Sequence, residues 1–202
     1  MVVTLYEVSK VALELAALVV TILALMVSYA GYSKTKKSVF ARLSLAFTGL
    51  SVNFFLNLFA DSLLIFGVVE DTYYVRLTAS FFEMVGFFFL AFSHMVKVYQ
   101  ERKFAATPLI VFNPNAAFKT LSIYFIFYAT LETMIAYGRS RSKILLLTAV
   151  GLLSFAAQSI LSWLAEFVVD PTIYQISSLI FQIFGVLAFF VPIWIYYRGV
   201  KR

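Results

Sequence analysis

The feature that most constrains this chain is a series of apolar runs, each about 20 residues or longer, separated by short polar links. A helix of about 20 residues crosses the ~30 Å hydrocarbon core of a bilayer. Apolar residues make up 62% of the 202 positions and charged residues only 13%, roughly half the charged share of a soluble domain. The sequence therefore predicts an all-α integral membrane protein, folded as a helical bundle.

Six of these runs are long enough to span a membrane, and they cover residues 8–31, 39–67, 73–96, 118–137, 144–168 and 173–197. A shorter apolar stretch, residues 104–118, reaches only ~22 Å as a helix. Lys and Arg accumulate in cytoplasmic loops, so their distribution tests whether this stretch crosses. The 16 Lys and Arg residues divide 8 to 8 between the two sides with six crossings, and 13 to 3 with seven. We therefore predict seven crossings in the cell membrane, with the N-terminus outside and the C-terminus cytoplasmic.

Two short basic links have nearly the same pattern: YSKTKKS at residues 32–38 and YGRSRSK at residues 137–143, an offset of 105 positions. The offset continues into the helix after each link, and it becomes 99 after a loop that is shorter in the second copy. Polar residues match at these offsets: Asn53 with Gln158, Asn57 with Ser162, Asp61 with Glu166, Asp71 with Asp170, Arg76 with Gln175, and Glu83 with Gln182. Because polar residues are scarce in this chain, the matches favour an internal duplication.

The duplication predicts two parallel three-helix repeats joined by one crossing, a 3+1+3 layout. The first repeat covers residues 1–98, the linker with its short crossing covers 99–118, and the second repeat covers 119–202. An odd number of helices per repeat inverts the second copy, and the extra crossing restores the parallel orientation. The layout resembles the parallel-repeat architecture of SWEET-type sugar carriers. The resemblance is architectural only, because the chain lacks the Pro-Gln pairs that mark that family.

Polar side chains inside the apolar runs mark a candidate site for an ion or a small polar ligand. Glu83, Gln182, Asn53 and Gln158 fall near the middle of their spans, and we expect them to converge on the axis between the repeats. A carboxylate at the bilayer centre costs roughly 2.5–3.5 kcal/mol, which favours a functional role for the glutamate. Secondary candidates lie toward the outer ends of the spans: Asp61, Glu166 and Arg76.

Simpler structural roles compete with this interpretation. The three amides among the candidates are also typical of the hydrogen bonds that hold membrane helices together. The two outer carboxylates lie close enough to the membrane interface to be solvated. Arg76 either pairs with Glu83, two turns away, or extends toward the interface. Glu14 is a further carboxylate within a span.

The sequence does not indicate enzymatic chemistry, although an intramembrane lipid enzyme stays an alternative. It contains no nucleophile-elbow, zincin or nucleotide-loop signature, and it has one His and no Cys. We therefore predict no catalytic residue, no cofactor and no metal site. The net charge of +6 is explained by cytoplasmic loops, so nucleic acid is not an expected partner. The expected partners are the lipid bilayer and homo- or hetero-oligomer subunits packed on small-residue helix faces.

Two functions fit these observations. The first is a polytopic membrane protein that binds or transports an ion or small polar ligand at a midplane site between the repeats. The second is an accessory, sensory or scaffold subunit of a larger membrane complex, which fits a short chain without a catalytic motif. Solute flux in liposomes supports the first, and migration with other subunits in native electrophoresis supports the second.

The predicted topology is tested with epitope tags inserted at residues 113–119 and at residues 138–143. With seven crossings, we expect the first tag to react with an antibody added outside the cell. The second tag is expected to react only after the membrane is permeabilised. Reaction of the tag at 138–143 in intact cells would contradict seven crossings.

Overall fold

In a computed structural model of the protein, which describes residues 5–95 and 114–199, all of the regular structure is helical. The six helices are α1 (Leu5–Thr35), α2 (Ser38–Ile65), α3 (Tyr73–Met95), α4 (Pro114–Ser140), α5 (Lys143–Leu164) and α6 (Thr172–Gly199). Each contains a segment long and apolar enough to cross a membrane, and many large apolar side chains are exposed on the outside of the bundle. The prediction of an all-α, multi-pass membrane protein is confirmed at this level.

Helix α4 begins earlier than the sequence indicated. Its first residue is Pro114, whose missing N–H and fixed φ suit the first turn of a helix. Residues 114–118 are therefore continuous with α4 rather than with the linker predicted over residues 99–118. The rest of that linker, with most of the predicted crossing at 104–118, lies outside the described residues.

The two basic links have the same backbone conformation. Lys36 and Arg141 have φ values of 54° and 53°, in the left-handed region that residues other than glycine seldom adopt. Each N–H donates to the carbonyl of a tyrosine four positions earlier, Tyr32 or Tyr137, at 2.8 Å. Each cationic side chain lies over the ring of that same tyrosine, at 5.5 and 5.8 Å. The match in sequence thus corresponds to a match in conformation.

The starts of α3 and α6 also resemble each other. Asp71 accepts the N–H of Tyr73 at 2.8 Å, and Asp170 accepts the N–H of Thr172 at 3.1 Å. Hydrogen bonding by the side chain and then by the backbone of Thr172 holds the pKa of Asp170 below its ordinary value. The ionised carboxylate interacts favourably with the positive end of the helix dipole.

The helices form a closed ring in which each packs against its neighbours in chain order, and α6 packs against α1. Helices α3 and α4 are parallel. The ring of Phe81 lies 5.6 Å from that of Phe118, and the ring of Phe88 lies 5.4 Å from that of Phe125, so the residue numbers rise together along both helices.

Short connections make the other consecutive helices antiparallel. As a result α1, α3, α4 and α6 begin at one end of the ring, here called the cavity end, and α2 and α5 begin at the other, the link end. Since Phe118 is level with Phe81, Pro114 is level with the first turns of α3. The end of α3 at Met95 is about 27 Å away along the bundle, so the two described residues that flank the gap lie at opposite ends.

Four aromatic side chains fill the centre of the ring. Phe87 packs on Phe155 with ring centroids 5.3 Å apart, and Phe189 lies 5.9 Å from Phe155 and 6.3 Å from Phe47. All four are at most 3% exposed. We call them the aromatic plug, and they close the interior on the side of the link end.

Small residues let the helices of each half approach closely. A Cβ added to Gly49 on α2 would lie 2.9 Å from the backbone nitrogen of Gly86 on α3. On the other side of the ring, a Cβ added to Gly151 on α5 would lie 3.1 Å from the carbonyl oxygen of Gly185 on α6. Contacts of this kind let the backbones of membrane helices meet without an intervening side chain.

We predict that Gly49→Ala destabilises the bundle by about 1–3 kcal/mol, because the added methyl group meets backbone that cannot rotate away. The matched control is Gly138→Ala, since a Cβ at Gly138 meets nothing within 4 Å. Alanine at that helical position is expected to be neutral or slightly stabilising. The measurement is the midpoint of thermal unfolding in detergent. Equal midpoints for the two variants would contradict the close approach of α2 and α3.

Candidate functional site: a polar cavity inside the bundle

A cavity of about 120 Å³ lies at the cavity end of the ring, and side chains from all six helices reach it. Among the described residues that line it, only Ala165 and Leu179 are apolar. Polar groups are costly to place within a membrane unless they face one another or water. Their concentration here identifies the cavity as the candidate functional site.

Three charged side chains form the first cluster at the cavity: Lys10 and Arg76 line it, and Asp61 pairs with both. Asp61, on α2, is only 6% exposed, and its two oxygens lie 2.6 Å from Lys10 Nζ and 2.5 Å from Arg76 Nη2. Arg76 Nε also donates to the hydroxyl of Thr72 at 3.1 Å, which orients the guanidinium. Arg76 thus pairs with Asp61 rather than with Glu83, because Asp61 lies at the same depth in the bundle as Arg76, whereas Glu83 lies two turns deeper.

A second charged cluster lies on the opposite side of the cavity. Lys119 Nζ donates to Glu166 Oε1 at 2.6 Å and to the backbone carbonyl of Ser162 at 3.2 Å. Asn115 Nδ2 donates to the same glutamate oxygen at 3.0 Å. Glu166 is exposed, so this pair belongs to the outer rim of the cavity and is accessible to solvent there.

The innermost polar contact joins the two halves of the chain. Gln158 Nε2 on α5 donates to Glu83 Oε1 on α3 at 2.7 Å, and Ser159 donates to Gln158 Oε1 at 3.3 Å. Glu83 and Gln158 are 5% and 2% exposed. Since Phe87 follows Glu83 by one helical turn, the aromatic plug lies directly beneath this contact.

The remaining midplane candidates occupy different positions. Asn53 is 3% exposed and accepts a hydrogen bond from Asn57 Nδ2 at 3.0 Å, and Asn57 lines the cavity. Gln182 lines the cavity directly and is 3% exposed. Its Nε2 atom has no hydrogen-bond partner among the described residues.

The seven predicted site residues therefore divide into two groups. Gln158, Gln182, Glu166 and Arg76 line the cavity. The other three, Glu83, Asn53 and Asp61, each contact a side chain that lines it.

Sequence reasoning missed the part played by α1 and α4. Lys10 and Glu14 on α1 and Asn115 and Lys119 on α4 all line the cavity. They match each other at the same offset of 105 that relates the basic links. A second signal was available in the charge distribution, because Lys10, Arg76 and Lys119 are the three cations assigned to the cation-poor side. Each of the three lines the cavity.

Comparison with protein-family models, curated proteins and solved structures finds no match to this chain. Within residues 5–95 and 114–199, no three His, Asp or Glu side chains are close enough together to hold a metal ion.

We predict that Asp61→Asn lowers the free energy of unfolding by about 3 kcal/mol, because it leaves two partly buried cations, Lys10 and Arg76, without the buried carboxylate that they share. The matched control is Glu166→Gln, which breaks an exposed ion pair and is expected to cost about 1 kcal/mol or less. Chemical denaturation in detergent micelles measures both. A cost for Asp61→Asn no larger than that of the control would contradict the buried Asp61 cluster.

Proposed function

We propose that the protein binds a small polar solute or ion in this cavity and transports it across the membrane. The observation that carries the proposal is the contrast between the polar cavity and the apolar exterior of the same bundle. A structural bundle needs only scattered polar contacts between its helices. A cavity lined by three cations, two carboxylates and several amides instead suits a ligand with polar groups of its own.

The proposed topology is the 3+1+3 layout with seven crossings. Its main support is the parallel orientation of α3 and α4, whose connected ends lie about 27 Å apart along the bundle. Three of the described cations lie at the cavity end: Lys10, Arg76 and Lys119. Most of the others lie in or beside the two basic links. Because cations favour the cytoplasmic side, the cavity faces outside in this proposal.

The proposed repeats have their own support in the ring. A twofold axis along the bundle would exchange α1 with α4, α2 with α5 and α3 with α6. Every pair of neighbouring helices is converted by this exchange into another pair that also packs together. The matching links, helix starts and small-residue contacts obey it as well. In this proposal the cavity lies between the two repeats, as the binding sites of repeat-built transporters do.

The aromatic plug supports an outward-open state within a transport cycle. The cavity reaches the rim at one end, and the rings of Phe87 and Phe155 close the path beneath Glu83 and Gln158. Transport requires these rings to separate while the rim closes, which is alternating access about a fixed site. Glu83 is the titratable group at the point where the path is closed.

The proposal is tested in proteoliposomes with gradients of potassium chloride, L-alanine, 4-aminobutyrate and glucose. We expect flux of at least one probe, and we expect Glu83→Gln to reduce that flux at least tenfold, because it removes the only titratable group beside the plug among the described residues. The matched control is Glu132→Gln, on α4 near the link end and away from the cavity. Its flux should equal that of the unmodified protein.

The outcomes separate the alternatives. Absence of flux for every probe, together with no rise in the unfolding temperature with any of them, contradicts a solute-binding cavity. A rise in unfolding temperature without flux supports the sensory or accessory role instead of transport. Flux that is unchanged in Glu83→Gln keeps transport but removes Glu83 from the path.

A further inference from the structure

Two buried side chains in the cavity wall present polar atoms without a partner. Glu14 on α1 is 2% exposed and Gln182 on α6 is 3% exposed. Glu14 Oε2 and Gln182 Nε2 have no hydrogen-bond partner among the described residues. Buried polar atoms are nearly always satisfied by protein, water or a ligand, so these two atoms mark where a bound molecule would complete the site.

The cation nearest to Glu14 is already paired with another carboxylate. Lys10 Nζ lies 2.6 Å from Asp61 Oδ2 and 3.9 Å from Glu14 Oε1. Asp61 thus holds Lys10 at close range, and the contact with Glu14 is long and made by its other oxygen. Glu166 similarly has Lys119 at 2.6 Å. Glu14 lies against the carboxyl group of Asp61, and its nearest cation, Lys10, is 3.9 Å away. Glu14 is therefore the lining carboxylate that lacks a close cationic partner in the described part of the chain.

In the proposed duplication, the position equivalent to Glu14 is occupied by a cation. At the offset of 105, Glu14 corresponds to Lys119, and at the offset of 99, Glu83 corresponds to Gln182. The first half contributes most of the charged groups, and the second half contributes Gln182 and other amides. The cavity thus presents an unpaired hydrogen-bond acceptor on α1 and an unpaired donor on the neighbouring helix α6.

We propose, as an extension of the proposed function, that the ligand is a small solute carrying an ammonium group and an oxygen acceptor, the chemistry of a small amino acid. The ammonium group binds Glu14 Oε2, and the oxygen acceptor receives a hydrogen bond from Gln182 Nε2. Both contacts satisfy atoms that the described residues leave unpaired. An ammonium group also has the charge that a buried carboxylate requires.

The size and depth of the cavity constrain this solute. A buried water needs about 10–15 Å³ of cavity volume. The cavity volume of about 120 Å³ therefore corresponds to a solute of up to about ten non-hydrogen atoms. Ala17 and Leu179 belong to one apolar cluster. Glu14 lies three residues outward of Ala17, and Gln182 lies three residues inward of Leu179. The two groups therefore differ in depth by roughly 9 Å between backbones, with the ammonium group nearer the rim.

The test is ligand binding to the full chain in detergent, measured by calorimetric titration and by the shift in unfolding temperature. The probes are L-alanine, β-alanine and 4-aminobutyrate, which separate the ammonium group from the carboxylate by one, two and three carbons. Butyrate lacks the ammonium group and butylamine lacks the carboxylate. We expect at least one of the amino acids to bind at least tenfold more tightly than both butyrate and butylamine.

Two substitutions assign the contacts. Glu14→Gln is expected to weaken binding of that amino acid at least tenfold while leaving the weak binding of butyrate unchanged. Gln182→Leu is expected to weaken the amino acid at least tenfold while leaving butylamine unchanged. Glu132→Gln is the matched control and should bind like the unmodified protein. Unfolding temperatures of the variants without ligand show whether each variant is folded.

Three results overturn this inference. One is that none of the three amino acids binds, and another is that butyrate or butylamine binds as tightly as they do. The third is that Glu14→Gln, folded by its unfolding temperature, keeps full affinity for the amino acid. Flux of potassium or glucose in the same preparation would leave the proposed function standing while this ligand class fails.

Discussion

The constraint on which the rest of the structure depends is that a bilayer offers no hydrogen bonds to a polar group. Every charged or amide side chain in the spans must therefore find a partner inside the bundle or reach the interface. In this protein the partners are found across helices: Lys10 and Arg76 share Asp61, and Gln158 binds Glu83. Because each of these contacts joins different helices, satisfying the polar groups also fixes how the helices are arranged.

The parallel packing of α3 and α4 constrains how the chain is threaded through the ring. Six helices joined only by short turns alternate in direction, and such a bundle has no parallel neighbours along the chain. Here α3 and α4 are parallel, as the paired phenylalanines along them show. Among residues 5–95 and 114–199, the cations at the cavity end are few, and all three of them line the cavity. The same packing of the six helices thus underlies both the chain topology and the polar cavity.

The proposed duplication gives a physical account of an asymmetric site. Two copies of one three-helix unit would produce a symmetric cavity, with the same groups facing each other across the axis. The two links have the same backbone conformation at Lys36 and Arg141. At positions that the proposed duplication makes equivalent, the side chains differ, with Glu14 matched by Lys119 and Glu83 by Gln182. A polar ligand with two different ends fits such a cavity better than a symmetric ion does.

The sequence by itself determined the six spans, the class of protein and the positions of the polar residues along each helix. These follow from local properties, because span length and helical periodicity depend only on nearby residues. It also indicated Gln158 and Gln182, since a polar residue in the middle of a span must face the interior. Only the tertiary structure decided which helices are neighbours, and hence that Arg76 pairs with Asp61 and that α1 and α4 complete the cavity. Periodicity identifies the polar face of a helix, but partners as distant in sequence as Glu83 and Gln158 meet only after the ring has closed.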